Sequence, residues 1–295
     1  MSKSPVVVVG LGLIGTSLAK RVLDAGFTVH GYDIDAARVA NFASLGGRPA
    51  ASLRDAGRAA DVFVLSVFNT DQVEAVVEGA GSLELKRGQS VICTSTCDPD
   101  RVAALAARVA PAGIGFLEMP LSGNSDQITL GNGIGLVGGT RELMEAQAPV
   151  LGALCKQYFY LGAAGAAGRA KLAVNLIGGL NRAVMAEGLS FAEAMGIDLD
   201  GFLEVLKSSA AYSRTMDNRG SKMIHSDFTP HAKLSQSRKD FALMHEVAAR
   251  VGQQLPLAGL YVELIESCLA HGEGDLDNSA VIRELRRRRS EAGVG

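Results

Sequence analysis

Val6-Val-Val-Val-Gly10-Leu-Gly12-Leu-Ile-Gly15 is the stretch on which the fold turns. Four β-branched residues in a row predict a strand buried on both faces, and the glycines after them predict a turn that opens a helix. In that setting Gly10 serves a tight turn, Gly12 lets the backbone approach a pyrophosphate, and Gly15 permits close helix–strand packing. The helix N-terminus supplies backbone donors to a phosphate. At the end of the next strand stands Asp33, in His30-Gly-Tyr-Asp33. A carboxylate there accepts from both adenosine ribose hydroxyls and repels a 2′-phosphate, which favours NAD over NADP. The competing reading makes Asp33 a cap on the following turn.

Outward from that motif the first half alternates strand and helix signals. Val6–Val9, Thr28–Tyr32, Val62–Val67, Ser90–Thr94 and Ile134–Val137 read as buried strands. Helical patterns lie between them, near Thr16–Ala25, Ala36–Leu45, Thr70–Glu78, Pro99–Val109 and Arg141–Leu151, with Asp98 as N-cap ahead of Pro99. The alternation predicts a parallel sheet covered by helices on both sides. After Tyr158-Phe-Tyr160 the strand signals stop, and helices are expected near 200–209, 214–224, 232–251, 257–270 and 279–289. The expected fold class is α/β: a Rossmann-type doubly wound parallel sheet over residues 1–163, then an all-α substrate and oligomerisation domain over 164–295, joined by a long interdomain helix from Gly168 to about Gly196.

That long helix carries Lys171 and Asn175, spaced i, i+4, which puts an ammonium and a carboxamide on one face. The run Leu172–Leu189 is apolar on nearly every side and reads as a helix buried all round, with a partner subunit supplying further cover in a homodimer or homotetramer. Gly178 and Gly179 leave the Lys171 face bare, and Arg182 reads as a salt-bridge partner at a domain or subunit contact. Upstream, Glu118-Met-Pro-Leu-Ser122-Gly123-Asn124 is either a nest of backbone N–H groups and a hydroxyl suited to a carboxylate, or an ordinary loop.

The bulk properties narrow the classes. The chain has 295 residues, 47% of them apolar, few aromatics, no Trp and a formal charge of −2, so nothing pulls it toward nucleic acid or an anionic membrane. Arg286–Arg289 read as a solvated helix end. Cys93, Cys97, Cys155 and Cys268 match no zinc spacing and read as buried free thiols. The five histidines lack ligand spacing, so no metal is expected. No segment is long and apolar enough to span a bilayer, and the glycines after Val9 argue against a signal peptide, so a soluble cytoplasmic protein is expected.

Taken in order, these motifs resemble the β-hydroxyacid dehydrogenase family over essentially the whole chain. The family's nucleotide fingerprint is similar to Gly10–Gly15, its Ser-Thr element to Ser95-Thr96, and its substrate loop to Glu118–Asn124. Its lysine–asparagine helix resembles Ala167–Asn175, its C-terminal Lys-Asp pair Lys239-Asp240, and its terminal element Gly274–Ala280. The resemblance implies a reaction between a hydroxy acid and its semialdehyde or keto acid. Lys171 is then the general acid/base, and Ser122, Gly123, Asn124, Asn175 and Asp240 hold the substrate. The implied cofactor set is Gly10, Gly12, Leu13, Ile14, Gly15, Asp33, Ser66, Val67, Phe68, Ser95, Thr96 and Lys239. Partial burial disfavours an ammonium, which would make the Lys171 amine available as a base.

The chain departs from the pattern at Asn124 (a Gly in the family), Ala167 (Gly), Val174 (Asn), Cys93 (Asp) and Ala232 (often aromatic, here beside His231). These changes point to a wider or differently polar pocket. Imine reductases resemble the fold without the lysine, 6-phosphogluconate dehydrogenase has a longer chain, and the likeness to prephenate dehydrogenases ends with the first helix. A non-catalytic dinucleotide-binding or chromatin-reader-like module is the alternative from another class, and the retained lysine weighs against it.

Overall fold

The computed structural model describes residues 3–292, which divide into one compact unit ending at Leu172 and a second beginning at Ala173. The first unit runs β1 Val6–Val9, α1 Leu13–Asp24, β2 Val29–Tyr32, α2 Ala36–Ser44, β3 Arg48–Pro49, α3 Leu53–Ala59, β4 Val62–Leu65, α4 Thr70–Glu78, β5 Ser90–Cys93 and α5 Pro99–Val109. It continues with β6 Gly115–Glu118, β7 Leu121–Ser122, α6 Ser125–Thr129, β8 Ile134–Gly138, α7 Arg141–Ala146, α8 Ala148–Leu154 and β9 Gln157–Gly162. Helix α9, Ala166–Ala194, starts here and runs on into the second unit, which adds α10 Leu199–Ser208, α11 Arg214–Ile224, α12 Leu234–Arg250, α13 Pro256–Ala270 and α14 Val281–Ala292.

The strands lie in the order β3-β2-β1-β4-β5-β6-β8-β7, with β9 added on β8. The first six are parallel, and their order reverses between β1 and β4. Every residue of β1 is buried, with alternate side chains going to opposite layers. Val6 and Val8 pack with Leu18 and Val22 of α1, while Val7 and Val9 pack with Val73 and Val102 on the other side. Each such valine contributes about 1.5–3 kcal/mol on burial. Side-chain caps start most of the covering helices: Asp35 for α2, Ser52 for α3, Asn69 for α4, and Asp98 for α5 with Pro99 in the first turn.

Some elements differ from the sequence reading. The far edge of the sheet is mixed, because β8 runs antiparallel to β6 and β7 and parallel to β9. A parallel return needs a long crossover, and here β7 and the five-residue α6 occupy the link. The helix expected over Arg141–Leu151 is two helices meeting at Gln147, since Pro149 cannot continue the first ladder. α9 is not buried all round: Ile177, Val184 and Phe191 are exposed, while Gly179 faces Phe241 and Tyr261 so closely that a Cβ would lie 2.5 Å from the Phe241 ring. Arg182 donates to the Tyr261 hydroxyl (2.9 Å) within the same unit. All four cysteines are buried and none forms a disulfide. Arg286–Arg289 are paired with Glu193, Glu273 and Glu284, so the chain's own acids offset much of the charge of the basic run.

The second unit is fastened by a buried polar lock. Asp277, fully buried, lies 3.3 Å from the Arg219 guanidinium. It also accepts from the backbone amides of His231 (2.9 Å), Ala232 (3.2 Å) and Ser279 (3.0 Å). Burial by itself would raise the Asp277 carboxyl, but Arg219 and the amides of His231 and Ser279 hold it below the usual carboxylate range. A depressed folded value contributes stability that is present above the unfolded pKa of about 3.9 and is lost as pH falls through the folded value. Asp277→Asn leaves Arg219 buried without its counter-charge and should cost about 3–5 kcal/mol of unfolding free energy. Urea titrations at neutral pH measure this, and the gap to wild type should narrow as pH drops below about 4.

Candidate active site

The ends of the parallel strands gather Gly10, Gly12, Gly15 and Asp33, the residues the sequence reading assigned to a nucleotide, at the β1–β4 reversal, where open α/β sheets form their crevice. The three glycines have three distinct environments. At Gly10, with φ +90°, a Cβ would lie 2.4 Å from the Ser66 carbonyl oxygen. At Gly15 a Cβ would lie 1.8 Å from the Gly10 carbonyl oxygen. At Gly12 it would meet only the tip of Arg38, at 4.0 Å. Two glycines are therefore required by the chain's own packing, and the third leaves open space at the head of α1. Gly12 caps that helix with no side chain over its end, so a pyrophosphate fits there.

Asp33 is held on both carboxylate oxygens, accepting from the amides of Leu11 (2.7 Å) and Asp35 (2.9 Å). It thus ties the glycine loop to the end of β2 as well as capping the turn after it. Arg38, which sequence reasoning passed over, lies 3.5 Å from Asp33 and 3.3 Å from Asp35. Leu13, Ile34 and Phe68 stand exposed around these loops. The loops after β4 and β5 brace each other: Ser95 Oγ donates to the Val67 carbonyl (2.8 Å), and Thr70 Oγ1 accepts from the Asp98 amide (2.9 Å). The Ser95 hydroxyl is thereby a stitch between loops, with Thr96 half-buried after it.

The Glu118–Asn124 segment grips the start of α9. Glu118, at the end of β6 and buried, accepts from the amides of Ala167 (2.8 Å) and Gly168 (3.1 Å), so its carboxylate sits on the positive end of a long helix. Gly168 allows the approach, since a Cβ there would lie 3.1 Å from Glu118 and 3.2 Å from Pro99. One turn further, Lys171 is buried and its Nζ donates to the Leu121 carbonyl at 2.6 Å. That carbonyl immediately precedes Ser122-Gly123, so the amine and the Ser-Gly loop meet in one unit. Gly123 has φ +148°, which favours glycine, and a Cβ would lie 3.3 Å from Gly133. Asn124 is the N-cap of α6: its Oδ1 accepts from the Gln127 amide (2.9 Å) while Gln127 Oε1 accepts from the Asn124 amide (3.0 Å). Helix capping accounts for its side chain where a glycine was expected.

In the second unit Asn175 Nδ2 donates to Asp240 Oδ2 at 3.0 Å. Asp240, also buried, accepts from Gln236 Nε2 (3.2 Å) and pairs with Lys239 (2.8 Å). Asp240 therefore orients the carboxamide of Asn175. The signals missed in the sequence were Glu118 as a helix anchor and Gln236, one turn before Asp240 on α12.

Two family models cover nearly all of this chain. The NAD binding domain of 6-phosphogluconate dehydrogenase matches residues 5–162, and the NAD-binding domain of NADP-dependent 3-hydroxyisobutyrate dehydrogenase matches residues 165–285. An L-threonate dehydrogenase from Cupriavidus necator is 32% identical over 279 residues, 94% of each chain. A 2-hydroxy-3-oxopropionate reductase from Escherichia coli is 29% identical over 94% of this chain and 95% of its own. The crystal structure of a 3-hydroxyisobutyrate dehydrogenase from Salmonella typhimurium superposes with a TM-score of 0.87 at 28% identity, over 95% of this chain and 99% of that one.

Burial pushes the Glu118 carboxyl up, against the pull of the amides of Ala167, Gly168 and Gly165. A raised folded value means that the folded state holds the proton more tightly, so stability declines as pH rises from the unfolded pKa of about 4.3 through the folded one. Glu118→Gln should flatten that decline. At pH 7 it should also cost about 1–3 kcal/mol, because an NH₂ would then face a backbone N–H. Urea titrations between pH 4 and pH 8 on both proteins test the two effects.

Proposed function

The chain belongs to the β-hydroxyacid dehydrogenase family and is a nicotinamide-dependent oxidoreductase acting on CH–OH groups; we propose that it interconverts a β-hydroxy or aldonate-like acid and the corresponding semialdehyde or keto acid, with Lys171 as general acid/base. The observation that carries this reading is the Lys171 amine, buried and held 2.6 Å from the Leu121 carbonyl, directly before Ser122-Gly123. When bound, the nicotinamide supplies the hydride chemistry. The glycine loop and the head of α1 would hold its pyrophosphate, and Asp33 its ribose.

In oxidation the Lys171 amine takes the hydroxyl proton as the carbinol carbon loses hydride. In reduction the ammonium returns a proton to the nascent alkoxide. The Leu121 carbonyl accepts one N–H of Lys171 and aims the nitrogen, so the group arrives preoriented. Ser122 Oγ and the Gly123 amide are suited to a substrate carboxylate. Asn175 lies one turn after Lys171 on the same helix. With its Nδ2 engaged by Asp240, its Oδ1 is directed away from that carboxylate and can accept from a substrate hydroxyl. A small residue at Ala232, beside His231, suits a longer, polyhydroxylated acid better than a compact branched one, in keeping with the L-threonate dehydrogenase relative.

For the cofactor we read NAD rather than NADP. Asp33 and Asp35 outweigh Arg38 in charge, so a 2′-phosphate would meet a net negative surface. Initial rates with 3-hydroxy acids and aldonates, using each cofactor at alkaline pH, identify the substrate. A clear NADP preference overturns the role given to Asp33.

Lys171→Ala should lower kcat by about 10²–10⁴-fold while NAD binding, followed by fluorescence titration, stays at the wild-type value. Turnover that survives the substitution removes the lysine from the reaction. Asp33→Ser should lower kcat/KM for NAD by about 10–100-fold and raise it for NADP, equivalent to 1–3 kcal/mol of ribose recognition.

A further inference from the structure

We infer that Gln236 selects the substrate, its amide oxygen taking the terminal hydroxyl of a polyhydroxylated acid; this rests on the dehydrogenase reading above. The second unit brings three donors to one carboxylate. Asn175 Nδ2 reaches Asp240 Oδ2 at 3.0 Å, while Gln236 Nε2 (3.2 Å) and Lys239 Nζ (2.8 Å) reach Oδ1. Three of about four acceptor sites on that carboxylate are thus filled by the chain's own groups. Asp240 therefore acts by aiming its neighbours.

Chemistry sets the aim. A carboxylate only accepts, so each amide turns its NH₂ to Asp240 and its carbonyl oxygen elsewhere. Among the described residues, neither Asn175 Oδ1 nor Gln236 Oε1 accepts from any group of the chain. Neither is shut away, because Ser213 Oγ is the one buried side-chain polar atom without a partner among those residues. Both oxygens open on accessible space, where an O–H can donate to them.

A glutamine four residues before an aspartate is an ordinary pair on a helix surface. This pair differs because its carboxylate is shared with Asn175 of another helix, which fixes two amide oxygens around one anion. Asn175, one turn after Lys171 on α9, is the one tied to the reacting hydroxyl. Gln236, across the carboxylate on α12, is placed for the next hydroxyl along the substrate. Its side chain is half-buried, so an apolar residue of the same length would pack as well, and packing does not call for an amide. At the entry to α12, Ala232 is pinned by its amide on Asp277 (3.2 Å) and its carbonyl on the Asn278 amide (2.8 Å), and it presents only a methyl. A hydroxyl is the group that suits the two oxygens: a methyl would leave them unpaired, and a carboxylate would set acceptor against acceptor beside Asp240.

The test compares 2,3,4-trihydroxybutanoate with 2,3-dihydroxybutanoate on the full chain with its preferred cofactor. The two acids share a carbon chain and the hydroxyls at C2 and C3, and differ only at C4. Wild type should favour the trihydroxy acid in kcat/KM by about 3–10-fold, the effect of one hydrogen bond. Gln236→Leu should abolish that preference by raising KM for the trihydroxy acid, with kcat held on both acids. A role confined to steadying Asp240 and Asn175 would lower kcat on both acids together, and that outcome overturns the proposal. A wild type indifferent to the C4 hydroxyl overturns it too, as does a variant that keeps the preference. If Gln236→Leu does not fold, Gln236→Met, unbranched and of similar length, carries the same comparison. Turnover confined to compact 3-hydroxy acids removes the role of Gln236 alone, whereas no turnover of any hydroxy acid removes the dehydrogenase reading and this proposal with it.

Discussion

The hold of one short segment on the first turns of α9 is the constraint from which the rest of the candidate site follows. Glu118 at the end of β6 places a buried carboxylate on the amides of Ala167 and Gly168, and three residues later the Leu121 carbonyl receives the Lys171 amine. The helix is thus fixed at its end and on its side by the strand that delivers Ser122 and Gly123. A lysine on a long helix would otherwise sweep a wide arc. Anchored twice, its nitrogen is confined to the neighbourhood of the Ser-Gly loop, the kind of orientation that turns an encounter between groups into an internal reaction.

The nucleotide end is built on the same principle of mutual bracing. Asp33 links the loops after β1 and β2, Ser95 links those after β4 and β5, and Gly10 and Gly15 close on each other through backbone alone. These loops lie at the strand ends on either side of the reversal in strand order. Rigid strands set their spacing, so the opening at Gly12 is a property of the sheet and not of one flexible turn. In the second unit Asp240 does for Asn175 what Leu121 does for Lys171: it engages one polar atom and thereby aims the rest of the side chain.

Much of this was legible in the chain itself. α4 and α5 fall on Thr70–Glu78 and Pro99–Val109 as read, because Asn69 and Asp98 supply caps and Pro99 a first-turn start. β6, β7 and α6 were not legible. Runs of four, two and five residues are too short for a periodic signal, and β6 ends on a charge that only a helix N-terminus explains. Asn124 looked like a change to the substrate loop and is a helix cap, since a capping box needs Gln127 three residues on and a helix that nothing in the local pattern announced.

The order of buried strands, the glycine spacing and the Lys171–Asn175 interval were determined by the sequence alone, because each rests on chemistry within a few residues: side-chain alternation, backbone freedom at glycine, and the helical repeat. Tertiary structure alone decided which partners those residues meet. Glu118 with α9, Asp33 with Leu11, and Asn175 with Asp240 join groups 22 to 65 residues apart. No local pattern encodes such pairings, because they form only when the sheet and the helices have brought distant segments within hydrogen-bond reach, where burial makes an unpaired polar group too costly to leave.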